Sequence, residues 1–209
     1  MRHILHDLQH AFLHADKGIL YLIKEMAYRP GYVALEFVQG QRKKYFNPFS
    51  FLVIVVAIST VFMSGFDLMS VQGRPNVISK FMSKYFNLVI FFTVPLIAFF
   101  TWIFFRKTGK NYSEFLVLAA FTSGERSVFM NIFILPLWIF FKQWYTPVLY
   151  TYMLLYFTYF GWACMQFSGK KTAWSFIKGF LIPLIVQIII TIMVIAAIKI
   201  YYTFYHHPK

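Results

Sequence analysis

Five apolar stretches follow one another between Asn47 and Lys199, and they decide most of what the chain can be. The cleanest runs from Pro48 to Phe66 without one ionisable side chain. A hydrocarbon core about 30 Å thick takes roughly 20 such residues as a helix. Backbone groups at that depth have no water to bind, so only helices or a closed barrel are allowed. The runs are continuous and lack the in/out alternation of barrel strands. The pattern therefore predicts an all-α, polytopic helical membrane protein with about five transmembrane helices. They fall at Pro48–Phe66, Asn87–Phe105, Phe115–Phe141, Thr146–Phe167 and Gly179–Ile198.

The third run is interrupted by Glu125 and Arg126. It reads either as one long tilted helix or as an interfacial half-helix, ended at Gly124, followed by a short span. Pro95, Pro136 and Pro183 each remove a helix hydrogen bond inside a run and should kink it.

Ahead of the spans the period changes. At 100° per residue, Ile4, Leu8, Ala11, Ala15, Ile19, Leu22 and Met26 fall on one side of a helix over residues 3–27. His3, His6, Asp7, His10, His14 and Lys17 fall on the other. Such a helix should lie flat on the cytoplasmic face or against the bundle. Three regions result: an amphipathic helical region over 1–47, a transmembrane bundle over 48–199, and a short tail over 200–209.

Composition agrees. Hydrophobic residues make up 59% of the 209 and charged residues 13%, more apolar surface than one water-soluble core could hide. Many of the 27 Phe and 14 Tyr sit near the ends of the runs, as interfacial anchors do. The lone cysteine, Cys164, excludes a disulfide framework or a Cys-based zinc site within one chain. The first 40 residues lack the apolar core and small-residue site of a signal peptide.

Lysine and arginine set the orientation. With the N-terminus inside, cytoplasmic segments hold 13 of them against six outside, with Arg126 within a span. The expected address is a bacterial cytoplasmic (inner) membrane, N-terminus in and C-terminus out. The net charge of +13 then reflects topology and affinity for anionic headgroups. Its spread over several loops argues against nucleic acid as a partner.

His6, His10 and His14 are spaced i, i+4, i+8 beside Asp7. Imidazoles suit transition metals, but the outer two lie about two turns apart and cannot meet on one ion. The stripe reads as a solvated or headgroup-facing surface, and no metal or cofactor is expected. Residues His6, Asp7, His10 and His14 stay the candidates for catalysis if the chain is an enzyme.

Between this helix and the first span, Pro30 and Gly31 end one helix and begin another, and Gly40 suits a left-handed C-cap. Arg42, Lys43 and Lys44 come to headgroup level with Tyr45 entering the interface, and Pro48 opens the span. Together with Arg29, they form the candidate anion- and lipid-binding set: Arg29, Arg42, Lys43, Lys44 and Tyr45.

The arrangement His6-Asp7, Asp16, Arg29-Pro-Gly31, then Gly40-x-Arg42-x-x-Tyr45-x-x-Pro48 resembles a bacterial multi-pass membrane family catalogued as domain-of-unknown-function family 3667. The Asn111-Tyr-Ser-Glu114 run is similar to it too. The resemblance is strongest over residues 6–52 and implies a multi-pass membrane protein without a known activity. Many members begin with a four-cysteine zinc ribbon, which this sequence lacks.

Glu125 and Arg126 are adjacent ionisable residues at membrane depth, where such groups face a bundle interior or a cavity. Neighbours on a helix diverge by about 100° and cannot simply neutralise each other; Asn131, Gln166 and Gln187 are the candidate partners. Three functions remain open. The favoured one is a non-enzymatic transporter-like, scaffold or accessory bundle contacting anionic lipid or a membrane partner protein. The alternatives are a metal- or His/Asp-dependent enzyme on a lipid-linked substrate, and a permeation path that would need a homo-oligomer. No nucleotide loop, serine elbow or zincin pattern is present.

Overall fold

The computed structural model describes residues 18–65, 77–141, 144–170 and 172–205. Among these, every regular element is helical. Helix α1 covers 18–28, α2 Pro30–Val38, α3 Pro48–Gly65 and α4 Val77–Phe104. A 3-10 turn at Arg106–Thr108 precedes α5, Tyr112–Phe129, which continues through a π turn, Met130–Ile134, into α6, Leu135–Phe140. Helices α7, Tyr145–Ser168, and α8, Ala173–Tyr205, complete the chain.

Local chemistry explains the boundaries. Asn111 begins α5 with a reciprocal capping box: its side chain accepts the Glu114 N–H at 3.0 Å, and the Glu114 carboxylate accepts the Asn111 N–H at 3.2 Å. The Asn47 side chain accepts the N–H groups of Phe49 and Ser50 at the start of α3, with Pro48 at the first helical position. Gly40, at φ 103°, closes α2 as anticipated. The Gly40 N–H reaches the Phe37 carbonyl at 3.2 Å and the Gln41 N–H the Glu36 carbonyl at 3.0 Å, the paired bonds of a Schellman end.

The ambiguous third run is one helix with a bulge. Gly124 does not break it. It lies mid-helix because a Cβ there would stand 2.6 Å from the Phe51 ring on α3. The irregularity comes later, where the Leu135 N–H bonds the Met130 carbonyl five residues back. Pro136 follows immediately, and a proline ring collides with the carbonyl four residues before it in a regular helix. The wider turn is a known way to absorb such a conflict.

Three other expected boundaries shift. Helix α4 starts ten residues before Asn87, and α8 starts six before Gly179 and passes Ile198. Hydropathy stops at a lysine such as Lys178, whereas helix hydrogen bonding continues through it.

Helix α5 is the axis of the core, with α2, α3 and α4 packed around it and α7 and α8 packed against each other. Phe115, Phe121, Phe160 and Phe167 are fully or almost fully buried. Edge-on ring pairs tie elements together, Phe37 with Phe121 and Phe115 with Phe167, each at 5.4 Å. Helices α1 and α2 belong to this core, since Leu22, Met26, Val33 and Ala34 are fully buried. Over its described part, the leading segment therefore packs against the bundle.

Among the described residues, α8 is the one helix long and apolar enough, by length and composition, to cross a membrane, over Ala173–Ile200. Pro48–Phe62 and Val89–Phe104 are shorter apolar helices.

Candidate functional site

The first polar centre gathers around Arg29, at the joint between α1 and α2. Glu25, one turn earlier on α1, accepts from the Arg29 Nε at 2.5 Å. Glu36, two turns along α2, accepts from another guanidinium nitrogen at 2.9 Å, and the Tyr45 hydroxyl accepts from the third at 3.1 Å. Tyr45 in turn donates to Glu36 at 2.6 Å, and the Lys44 ammonium donates to the same carboxylate oxygen at 2.6 Å. One guanidinium fork thus holds both helices and the turn that follows them.

The electrostatics follow from this geometry. Burial opposes ionisation of Glu36, but hydrogen bonds from Lys44 and Tyr45 and the nearby Arg29 charge outweigh it and hold the carboxyl below its ordinary range. The hydrogen bond to Glu36 raises Lys44 above the usual ammonium range. Tyr45 is also raised, first by burial and then by its bond to Glu36. Tyr21 on α1 stacks on the Tyr45 ring at 6.1 Å, and the Lys44 ammonium lies 5.0 Å over it.

Next to this centre, α2 is locked onto α7. The buried Gly31 N–H donates to the Gln166 side-chain oxygen at 2.9 Å. A Cβ on Gly31 would stand 2.1 Å from the Ala163 carbonyl oxygen and 2.7 Å from the Phe167 nitrogen. Backbone cannot yield that far, so the Pro30-Gly31 pair is both helix start and contact point. The Tyr159 hydroxyl on α7 adds a bond to the Met26 carbonyl at 3.0 Å.

Of the five expected anion-binding residues, Arg29, Lys44 and Tyr45 converge on internal carboxylates. Arg42 and Lys43 are exposed in the turn and form no ion pair among the described residues. Glu25 and Glu36, which organise the centre, were not among the expected residues. The Glu25/Arg29 spacing of four was the visible signal for one of them; Glu36 offered none. His6, Asp7, His10 and His14 lie outside the described residues, and among the described ones no group of three or more His, Cys, Asp or Glu side chains could hold a metal ion.

The second polar centre is at Glu125 and Arg126 on α5. Glu125 is fully buried, and neither carboxylate oxygen has a hydrogen-bond partner among the described residues. The anticipated partners are not used: Gln166 serves Gly31, and the Asn131 side-chain oxygen is itself unbonded. Arg126 points the other way. Its guanidinium lies 4.8 Å over the Tyr156 ring of α7 and forms no ion pair among the described residues. The Tyr152 hydroxyl donates to the Arg126 carbonyl at 2.7 Å.

Arg126 forms part of the wall of a cleft of about 530 Å³ between α5, the π turn and α7. Phe129, Phe133, Tyr152, Tyr156 and Trp162 are among the side chains that complete it. No tyrosine of α7 was singled out from sequence, because aromatic residues are frequent throughout the chain and carried no distinctive spacing.

No curated protein and no solved structure matches the chain. A family model matches where the Arg29 centre lies: residues 16–60, from just before α1 through most of α3, match the family described as "Protein of unknown function (DUF3667)".

Proposed function

We propose that the chain is a multi-pass protein of the bacterial cytoplasmic membrane, N-terminus inside, acting as a non-enzymatic scaffold or accessory bundle. The observation that carries this reading is the distribution of exposed hydrocarbon. Val61 on α3 is 71% exposed, Phe92 on α4 66%, Leu155 on α7 61% and Ile192 on α8 61%. Large exposed apolar surface on four helices is a liability in water and ordinary in lipid. The longest apolar helix is also mostly unburied, with only 28% of its 18-residue apolar stretch inside the protein, unlike a soluble core helix.

The partner proposed is the anionic headgroup layer, met at the turn carrying Arg42 and Lys43. Each cation near a negatively charged leaflet is worth about 1 kcal/mol. The lipid-enzyme alternative assigns phosphate binding to Arg29 or Arg42; the Arg29 fork is already held by two carboxylates, which leaves that role to Arg42.

Carbonate washing of membranes and lipid-resolved native mass spectrometry test the reading. The chain should stay in the pellet at high pH, and phosphatidylglycerol retention should fall in an Arg42→Gln/Lys43→Gln variant. Release by carbonate removes the membrane assignment; unchanged retention removes the headgroup contact.

A further inference from the structure

We infer that the cleft between α5 and α7 is a binding site for a single-chain amphiphile with a carboxylate head, a long-chain fatty acid. The inference rests on the membrane reading for its orientation and goes beyond it in assigning a ligand and a site.

The wall of the cleft is built to present hydrocarbon. Two of its three tyrosines turn their polar ends elsewhere: the Tyr152 hydroxyl donates to the Arg126 carbonyl and the Tyr159 hydroxyl to the Met26 carbonyl, while the buried Tyr156 hydroxyl has no partner among the described residues. The Thr158 hydroxyl donates to the Leu155 carbonyl within its own helix. What faces the space is ring and aliphatic carbon from Phe129, Phe133, Leu155 and Trp162. Its volume of about 530 Å³ lies within the range of ~300–1,000 Å³ typical of small-molecule sites.

One charged residue belongs to that wall. Arg126 is half-buried at the wall, held over the Tyr156 ring, with no carboxylate of the described chain paired to it. A guanidinium fork in apolar surroundings matches a carboxylate with two parallel hydrogen bonds. The adjacent Glu125 does not compete, being fully buried and outside the cleft lining.

Depth selects the source of the anion. Arg126 lies 14 residues along the helix from Tyr112, about 21 Å from its capped start at 1.5 Å per residue. A diacyl phospholipid keeps its phosphate at the interface and cannot bring it there. A fatty acid can enter as the neutral acid and ionise against the arginine.

The test uses the full chain in phosphatidylcholine nanodiscs, with 9,10-dibromostearic acid and its methyl ester as quenchers of Trp162 fluorescence. The acid should quench saturably and bind at least about tenfold tighter than the ester, corresponding to about 1.4 kcal/mol. Trp162→Phe should abolish the saturable component. Arg126→Gln should erase the preference for acid while ester quenching persists, and Arg126→Lys should restore part of it. Leu155→Trp, at an exposed position that tolerates bulk, should weaken both ligands.

Quenching that rises linearly with membrane content and equally for acid and ester overturns the site. Competition by phosphatidylglycerol as strong as by fatty acid overturns the assignment of the ligand. A chain that does not enter nanodiscs at all instead removes the proposed membrane function, so the two failures are distinguishable.

Discussion

The protein handles charge in opposite ways at its two polar centres. Around Arg29, three cationic or phenolic groups meet Glu36, and Glu25 completes the guanidinium's shell. At Glu125 and Arg126, adjacent ionisable side chains point apart and neither finds an ion-pair partner among the described residues. A satisfied network joins elements and fixes geometry. A buried carboxyl without a partner among the described residues costs stability, which is a usual mark of a site that serves something other than the fold. The first centre reads as architecture and the second as a place for chemistry or a ligand.

Gly31→Val tests the architectural half most severely. A side chain cannot enter a space where the first carbon already meets the Ala163 carbonyl oxygen at 2.1 Å. Separation of α2 from α7 should cost about 3 kcal/mol or more, read as lost thermal stability in detergent. A normal Tm would show that this contact is dispensable.

Gln166→Leu keeps the volume but leaves the buried Gly31 N–H unbonded. The expected loss is about 1–3 kcal/mol, with no change in helix content by circular dichroism. Retained stability would mean another acceptor moves in.

Arg29→Ala leaves two carboxylates facing one another across the joint. Its side chain is 36% exposed, so solvent screening holds the expected cost to about 1–2 kcal/mol. A double cycle with Glu36→Gln should show coupling between the two sites; additive effects would dissolve the network.

Glu125→Met should move stability in the opposite direction. Removing a buried carboxyl without a partner and replacing it by an apolar chain of similar length should stabilise the protein by about 1 kcal/mol. Destabilisation would reveal a hidden partner and erase the contrast with Arg29.

The smallest effect is pH dependence of the Arg29 centre. Glu36 is depressed in the folded state, so its contribution is present above the ordinary glutamate value of about 4.3 and is lost as pH falls through its lower folded value. Lys44 is raised, so its contribution is present below the ordinary lysine value of about 10.4 and is lost as pH rises through its higher folded value. The Tm difference between wild type and Glu36→Gln should therefore be flat near neutrality and shrink below about pH 4. A difference that widens there would reverse the assignment.

Much of this protein was legible from local rules. Apolar runs located the helical cores of α3, α5, α7 and α8; Pro30, Gly40 and Pro48 marked ends, because caps and φ limits act within a few residues. The tertiary structure alone decided what the polar groups do. Arg29 and Lys44 looked like headgroup contacts because a lone sequence shows charge without its counter-charge, and Glu36 joins them only when the turn folds back. Gln166 lies 135 residues from its partner Gly31, a distance no periodicity spans. Arg126 gained its cleft from α7, whose tyrosines were indistinguishable from other aromatics until the Tyr152 and Tyr159 hydroxyls were seen bonded elsewhere. Periodicity is a property of neighbours along the chain, whereas pairing and cavities belong to neighbours in space.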